Sequence, residues 1–104
     1  MAMTNLYEIE WSNQAIHNFE EIVGYLSNSW NEKVVKDFVR FVDRAVTHIT
    51  MFPYAFPATS YKQGVRRYVL SDINTIYYVV KKDIINIVAI GDNRRDPVRL
   101  KEML

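Results

Sequence analysis

The sequence contains no cysteine, only three glycines and three prolines, and two histidines among its 104 residues. Without cysteine the chain forms neither a disulfide scaffold nor a thiolate metal site, a composition typical of the reducing cytoplasm. His17 and His48 fall on different predicted helices without the spacing of metal ligands. We therefore expect no metal ion and no other cofactor.

Long apolar runs are also absent. No segment approaches the roughly 20 apolar residues that a membrane span requires, and the first residues lack the basic segment and apolar core of a signal peptide. These absences predict a cytoplasmic protein with no membrane partner. Hydrophobic residues make up 49% of the chain and charged residues 24%, which is ordinary for one globular domain spanning residues 1–104.

The charge is distributed unevenly along the chain. Residues 1–61 carry a net charge of −3 and residues 62–104 a net charge of +4, although the whole chain has only +1. Two interpretations remain open at this point. The asymmetry is either scatter over a solvated surface or a basic face for an anionic partner, namely a nucleic acid or an acidic polypeptide.

The first half of the chain predicts a strand followed by two helices. Residues Leu6 to Trp11 alternate as a strand with one buried face, and Ser12 or Asn13 is a suitable helix N-cap. An apolar stripe at helical spacing then extends to Leu26. After a break, Asn31-Glu32 begins a second helix that should end near Met51, before Pro53.

The second half predicts three short strands between Gly64 and Pro97, joined by turns at residues 71–74 and 81–83. The middle run, residues 76–80, is apolar or aromatic on both sides, as in a central strand covered on both faces. Asp96 and Pro97 then start a short C-terminal helical turn. The predicted fold class is α+β: an N-terminal strand, a long helical hairpin packed on a small antiparallel sheet, and this final turn.

Arginine and tyrosine supply the candidate functional residues, since phosphate-binding loops, nucleophilic triads and facing carboxylate pairs are missing. Arg66 and Arg67 are adjacent in a strand, so their side chains must point to opposite faces. We expect the strands to leave one cationic, tyrosine-bearing side uncovered for a macromolecule. The candidates for binding are Lys62, Arg66, Arg67, Tyr68, Tyr78, Arg94 and Arg95. Alternatively, the arginines pair with Asp72, Asp92 or Asp96 and only solubilise the sheet, and the tyrosines only pack.

Several segments in this order resemble the RelE/ParE superfamily of toxins from bacterial type II toxin–antitoxin systems, over nearly the whole chain. They are Trp11-Ser12-x-x-Ala15, Phe52-Pro53, Val65-Arg66-Arg67, the runs 76–80 and 87–90, and Asn93-Arg94-Arg95-Asp96-Pro97. The resemblance implies a compact growth-arresting toxin, encoded by a plasmid-stabilisation type of system. It also implies a small cognate antitoxin that neutralises it, with a higher-order complex of the two as a further possibility.

Members of this superfamily either poison DNA gyrase or cut messenger RNA on the ribosome, and the residues here favour the first activity. RNA cutting requires a base, an acid and arginines for the phosphate charge. No glutamate lies between Lys33 and Lys101, and Asn74-Thr75 stands where RNA-cutting relatives often have an arginine. We therefore expect a ParE-like gyrase inhibitor that is not an enzyme.

Two alternatives remain. The first is a metal-independent, ribosome-dependent endoribonuclease that uses Arg67 with Arg94 or Arg95, and Tyr78 or Lys62 for proton transfer. The second is a non-toxic basic interaction domain.

Overall fold

The computed structural model describes residues 7–104 and has an α+β fold, as predicted. The elements are β1 (Glu8–Trp11), α1 (Asn13–Ser29), α2 (Glu32–Met51), β2 (Arg66–Val69), β3 (Asn74–Lys81), β4 (Ile84–Asp92) and α3 (Pro97–Met103). Within residues 7–104 no helix is long and apolar enough to cross a membrane.

The three helices begin where the sequence indicates, because each has a polar residue that accepts a hydrogen bond from an otherwise unpaired backbone N–H. Ser12 Oγ accepts from the N–H of Ala15 at 3.0 Å, and Asn31 Oδ1 accepts from Val34 at 3.1 Å. Asp96 caps α3, and Pro97 occupies its first turn. These caps confirm the predicted helix starts.

The sheet has the strand order β1-β4-β3-β2. Strands β2, β3 and β4 pair antiparallel, as expected, whereas β1 pairs parallel with β4 and makes the sheet mixed. The predicted N-terminal strand is present from Glu8 onward, and Leu6 lies outside the described residues. Because the helical hairpin separates β1 from the other strands, the chain has enough length to return in the parallel direction.

Beyond the end of β1, side chains of α1 and of its N-cap residue form hydrogen bonds with the free edge of β4. The Ser12 hydroxyl donates to the Val88 carbonyl at 2.7 Å, and the buried Asn18 side chain accepts from the N–H of Ile90 at 3.1 Å. These two bonds satisfy β4 backbone groups that have no partner strand at this level. Ser12 and Asn18 thereby fix the helical hairpin to the second half of β4.

The main core lies between the helical hairpin and one face of the sheet. Its fully buried members are Ala15, Ala45, Ile49, Ile76, Tyr78, Ile85, Ile87 and Ile90. The helical residues follow the spacing of an amphipathic stripe, and the β-branched residues fill the sheet face. The predicted packing of the hairpin on the sheet is therefore confirmed.

The other face of the sheet is covered around Tyr77 by α3, which corrects the expectation of an open, tyrosine-bearing side. Leu100 of α3 packs with Val65 and with Tyr77, whose side chain is only 4% exposed. Gly91 permits this approach, because a Cβ atom there would lie 2.7 Å from Leu100 Cδ1 and 3.0 Å from the Tyr77 ring. Burial of the apolar Tyr77 ring explains why α3 covers this side.

The β3–β4 turn contains a backbone conformation that its sequence does not favour. Lys82 has a φ of 54°, in the left-handed region where glycine and asparagine are better tolerated. We expect Lys82→Asn to raise the free energy of unfolding by up to about 1 kcal/mol. Chemical denaturation measures this, and Lys81→Asn, at the end of β3, is the control that should give no gain.

Candidate functional site

Arg66 and Arg67 project to opposite faces of β2, as predicted, and only one of them is free. Arg66 pairs in register with Tyr78 and so points to the helix side. Its Nη1 donates to the carbonyl of Phe56 at 2.7 Å and to that of Tyr54 at 3.3 Å. The guanidinium also lies 5.1 Å from the centroid of the Tyr54 ring. Arg66 therefore fixes the loop after α2 to the sheet.

Arg67 and Lys62 lie on the α3 side of the sheet. The Arg67 side chain is exposed and makes no hydrogen bond or ion pair with any residue that the structure describes. Lys62 Nζ donates to the carbonyl oxygen of Leu104, next to the end of α3. Of these two cations, Arg67 remains available to a partner, and Lys62 ties the loop to α3.

Tyr78 is fully buried. Its hydroxyl donates to the Pro53 carbonyl at 2.7 Å. Burial raises the pKa of Tyr78 to about 12, against a small opposing effect of the Arg66 charge. A buried hydroxyl that stays protonated at neutral pH reaches no substrate in this structure, so the position of Tyr78 argues against a catalytic role.

Tyr68 forms a contact that the sequence did not indicate. Its hydroxyl lies 2.7 Å from His48 Nδ1, and its half-buried ring packs edge-on against Phe56 with centroids 4.8 Å apart. His48 stands 20 residues earlier, on α2. No local pattern reports such a pair, and only knowledge of which face of β2 meets α2 could have predicted it.

Arg94 and Arg95 follow β4 and differ in their partners. Arg94 forms a bidentate pair with Asp92, with Nε to Oδ1 at 3.0 Å and Nη2 to Oδ2 at 2.9 Å. Arg94 still has 68% of its side chain exposed. The Arg95 side chain is exposed and has no hydrogen bond or ion pair within residues 7–104. The alternative that the arginines pair with nearby aspartates is thus correct for Arg94.

Asn93 holds the Arg94-Arg95 segment against the β2–β3 turn. Its backbone N–H donates to the Ile73 carbonyl at 2.7 Å, and its side chain accepts from the Thr75 hydroxyl at 2.7 Å. Its Nδ2 also donates to the Ser71 and Asp72 carbonyls. No sequence pattern predicts this role for Asn93, yet these four bonds hold the start of the Arg94-Arg95 segment in place.

Exposed apolar side chains lie beside this cationic segment. Ile73, whose carbonyl accepts from the Asn93 N–H, is 44% exposed, and Tyr25 of α1 is 60% exposed. Tyr25 is close enough to Arg94 to interact with its charge electrostatically. We refer to Tyr25, Ile73, Arg94 and Arg95 as the Arg94 surface. Exposed apolar groups next to arginine are typical of protein–protein interfaces.

The four candidate arginines do not form one site. Arg66 is on the helix side, and β3 separates the β2 strand of Arg67 from β4, so two strand spacings place Arg67 about 10 Å away from the β4 line. Only Arg94 and Arg95 lie together. A single phosphate therefore does not contact all four guanidinium groups in this structure.

None of the residues that define the Arg94 surface carries a carboxylate or an imidazole. Asp92 is the only carboxylate that pairs with these arginines in the described part of the chain. The hydrogen bonds from Arg94 are the main reason that its pKa is lowered, so it stays ionised at neutral pH and accepts hydrogen bonds only. Residues 7–104 also contain no cluster of three potential metal ligands. The arrangement is suited to binding.

The lowered pKa of Asp92 gives a pH prediction. A carboxylate that is more acidic in the folded state stabilises the fold above its unfolded pKa, and the contribution is lost as the pH falls through the folded value. We expect the stability advantage of the wild type over Asp92→Asn to be constant above about pH 5, to begin to decline below about pH 4, and to be lost only below the lowered pKa of the folded carboxyl. Urea unfolding of the two proteins at several pH values measures this difference.

Comparison with known proteins supplements this geometry. Residues 9–97 match the family model described as the ParE toxin of the type II toxin–antitoxin system parDE. Comparison with curated proteins gives no significant match.

Among solved structures, a chromosomal ParDE toxin–antitoxin system from P. aeruginosa has a TM-score of 0.72 at 16% identity, covering 86% of this chain and 98% of that one. YafQ from E. coli has a TM-score of 0.56 at 13% identity, covering 84% of this chain and 93% of that one. At these identities the structural matches establish the fold alone.

Proposed function

Since the chain belongs to the ParE family of toxins from type II toxin–antitoxin systems, we propose that it arrests growth by binding and inhibiting DNA gyrase. In this proposal the toxin acts in the cytoplasm and has no catalytic site of its own. A small cognate antitoxin neutralises it, and toxin and antitoxin form the resting complex.

The composition of the Arg94 surface carries this proposal. It combines two arginines with the exposed side chains of Tyr25 and Ile73, and the Asn93 hydrogen bonds hold the arginine segment against the β2–β3 turn. Arginine and aromatic residues contribute a large share of binding energy at protein interfaces. Inhibition by binding needs such a rigid surface and requires no proton transfer.

The ribonuclease alternative has less support from the side-chain positions. It assigned proton transfer to Tyr78 or Lys62, but Tyr78 is buried against Pro53 and Lys62 is bonded to the Leu104 carbonyl. Arg67 also lies apart from Arg94 and Arg95. General acid–base catalysis requires groups within hydrogen-bond reach of the reacting oxygen atoms.

Induction of the chain in bacteria without an antitoxin tests the proposal. We expect growth arrest together with activation of a DNA-damage reporter, while translated messages remain intact. Primer extension across abundant transcripts detects any cuts. Codon-positioned cleavage without DNA damage would favour the ribonuclease, and normal growth would favour the non-toxic interaction domain.

A further inference from the structure

A cleft of about 330 Å³ lies between the first turn of α1 and helix α3. Its apolar lining consists of Leu100 and Met103. Polar and charged groups come from Gln14 on α1 and from Arg95, Arg99 and Glu102 on and next to α3. Leu100 is buried, and the Met103 sulfur lies 3.7 Å from Asn18 Nδ2, so α1 supports the position of α3. The cleft therefore has defined walls.

The charges of the cleft are not balanced within the described part of the chain. Asp92 also lines it, but the bidentate pair with Arg94 neutralises that carboxylate. Arg95 and Arg99 make no ion pair with residues 7–104, and Glu102 offsets only one of them. One positive charge is left uncompensated in the cleft, beside the apolar Leu100 and Met103 side chains.

We propose that this cleft binds an acidic segment of a partner polypeptide, with a carboxylate between Arg95 and Arg99 and an aliphatic side chain against Leu100 and Met103. The inference rests on the proposed function, because it identifies a contact between the toxin and its antitoxin. Guanidinium groups bind carboxylates through paired, charge-assisted hydrogen bonds. Gln14 supplies an amide that donates to the second carboxylate oxygen or to the peptide backbone.

An acidic polypeptide fits the cleft better than a nucleic acid does. A phosphodiester backbone offers no aliphatic group for the Leu100 and Met103 lining. A peptide that alternates carboxylate and aliphatic side chains matches both parts of the lining.

NMR titration with a blocked peptide of alternating Glu and Leu residues tests the proposal, with the corresponding Gln and Leu peptide as its uncharged equivalent. We expect the acidic peptide alone to shift the Arg95 and Arg99 Nε–H signals and the Gln14 amide signals. Arg99→Gln should weaken binding about tenfold, which corresponds to 1.4 kcal/mol, and Glu102→Gln should strengthen it two- to threefold. Arg40→Gln, on the exposed face of α2, is the matched control and should leave binding unchanged.

Three results would overturn the inference. The first is that the wild type and Arg99→Gln bind the acidic peptide with equal affinity. The second is that the uncharged peptide binds as tightly as the acidic one. The third is that a single-stranded oligonucleotide shifts the same signals and binds more tightly than the acidic peptide. Measuring gyrase inhibition with the same purified proteins shows whether this inference or the proposed function has failed. If the acidic peptide fails to bind while gyrase is still inhibited, only the assignment of the cleft is wrong.

Discussion

Removing the Tyr78 hydroxyl is expected to lower the free energy of unfolding by about 1–3 kcal/mol and to leave growth arrest intact. The hydroxyl is buried and donates to the Pro53 carbonyl at 2.7 Å. In Tyr78→Phe that carbonyl loses its partner, and no solvent reaches the position of the hydroxyl to replace it. Denaturant unfolding with linear extrapolation measures the loss, and Tyr25→Phe, at a side chain that is 60% exposed, is the control.

The same residue provides a signature at alkaline pH. Because the pKa of Tyr78 is raised to about 12 in the folded protein, its contribution to stability is complete below pH 10 and declines as the pH rises toward 12. The stability difference between the wild type and Tyr78→Phe should therefore become smaller over this range. Loss of toxicity in a Tyr78→Phe protein of unchanged stability would instead indicate a catalytic tyrosine.

Removal of both side chains in Arg94→Ala, Arg95→Ala is expected to weaken gyrase inhibition at least tenfold. Arginines at the centre of an interface commonly contribute about 2 kcal/mol or more when truncated, and neighbouring contributions are not additive. The fold should survive, because Asn93 keeps its bonds to Thr75 and to the β2–β3 turn. The measurement is the toxin concentration that halves supercoiling.

The control for this double variant is Arg40→Ala, Arg44→Ala. It removes the same charge from the exposed face of α2, where both side chains lack ion pairs within the described residues. We expect this control to inhibit like the wild type. If both double variants lose the same amount of gyrase inhibition, the net charge of the toxin determines inhibition. The Arg94 surface would then have no specific role.

Local chemistry explains which parts of the fold were predictable from the sequence. Asn31 and Pro53 delimit α2, and Asp96 with Pro97 starts α3, because caps and prolines act through their immediate neighbours. The period-2 pattern located β2, and the aromatic run of β3 correctly indicated burial on both faces. The parallel pairing of β1 with β4 depends on residues more than 70 positions apart, which periodicity does not report.

The candidate site was less predictable for the same reason. Alternation showed that Arg66 and Arg67 point to opposite faces, but their partners belong to other segments. The cover over Tyr77 depends on the close approach of Leu100 to Gly91, which is a packing detail without a sequence signal. Asn93 and His48 act through contacts about 20 residues away. The sequence thus indicates candidate residue types, whereas their grouping in space required the structure.

A gyrase supercoiling assay tests the mode of action most directly. In this assay the purified chain is titrated into relaxed plasmid, purified gyrase and ATP. If the toxin inhibits gyrase by binding through the Arg94 surface, supercoiling should fall as the wild-type toxin is added. The double variant Arg94→Ala, Arg95→Ala should leave supercoiling largely intact at the same concentrations. Full supercoiling in the presence of a large excess of folded wild-type protein would contradict that account.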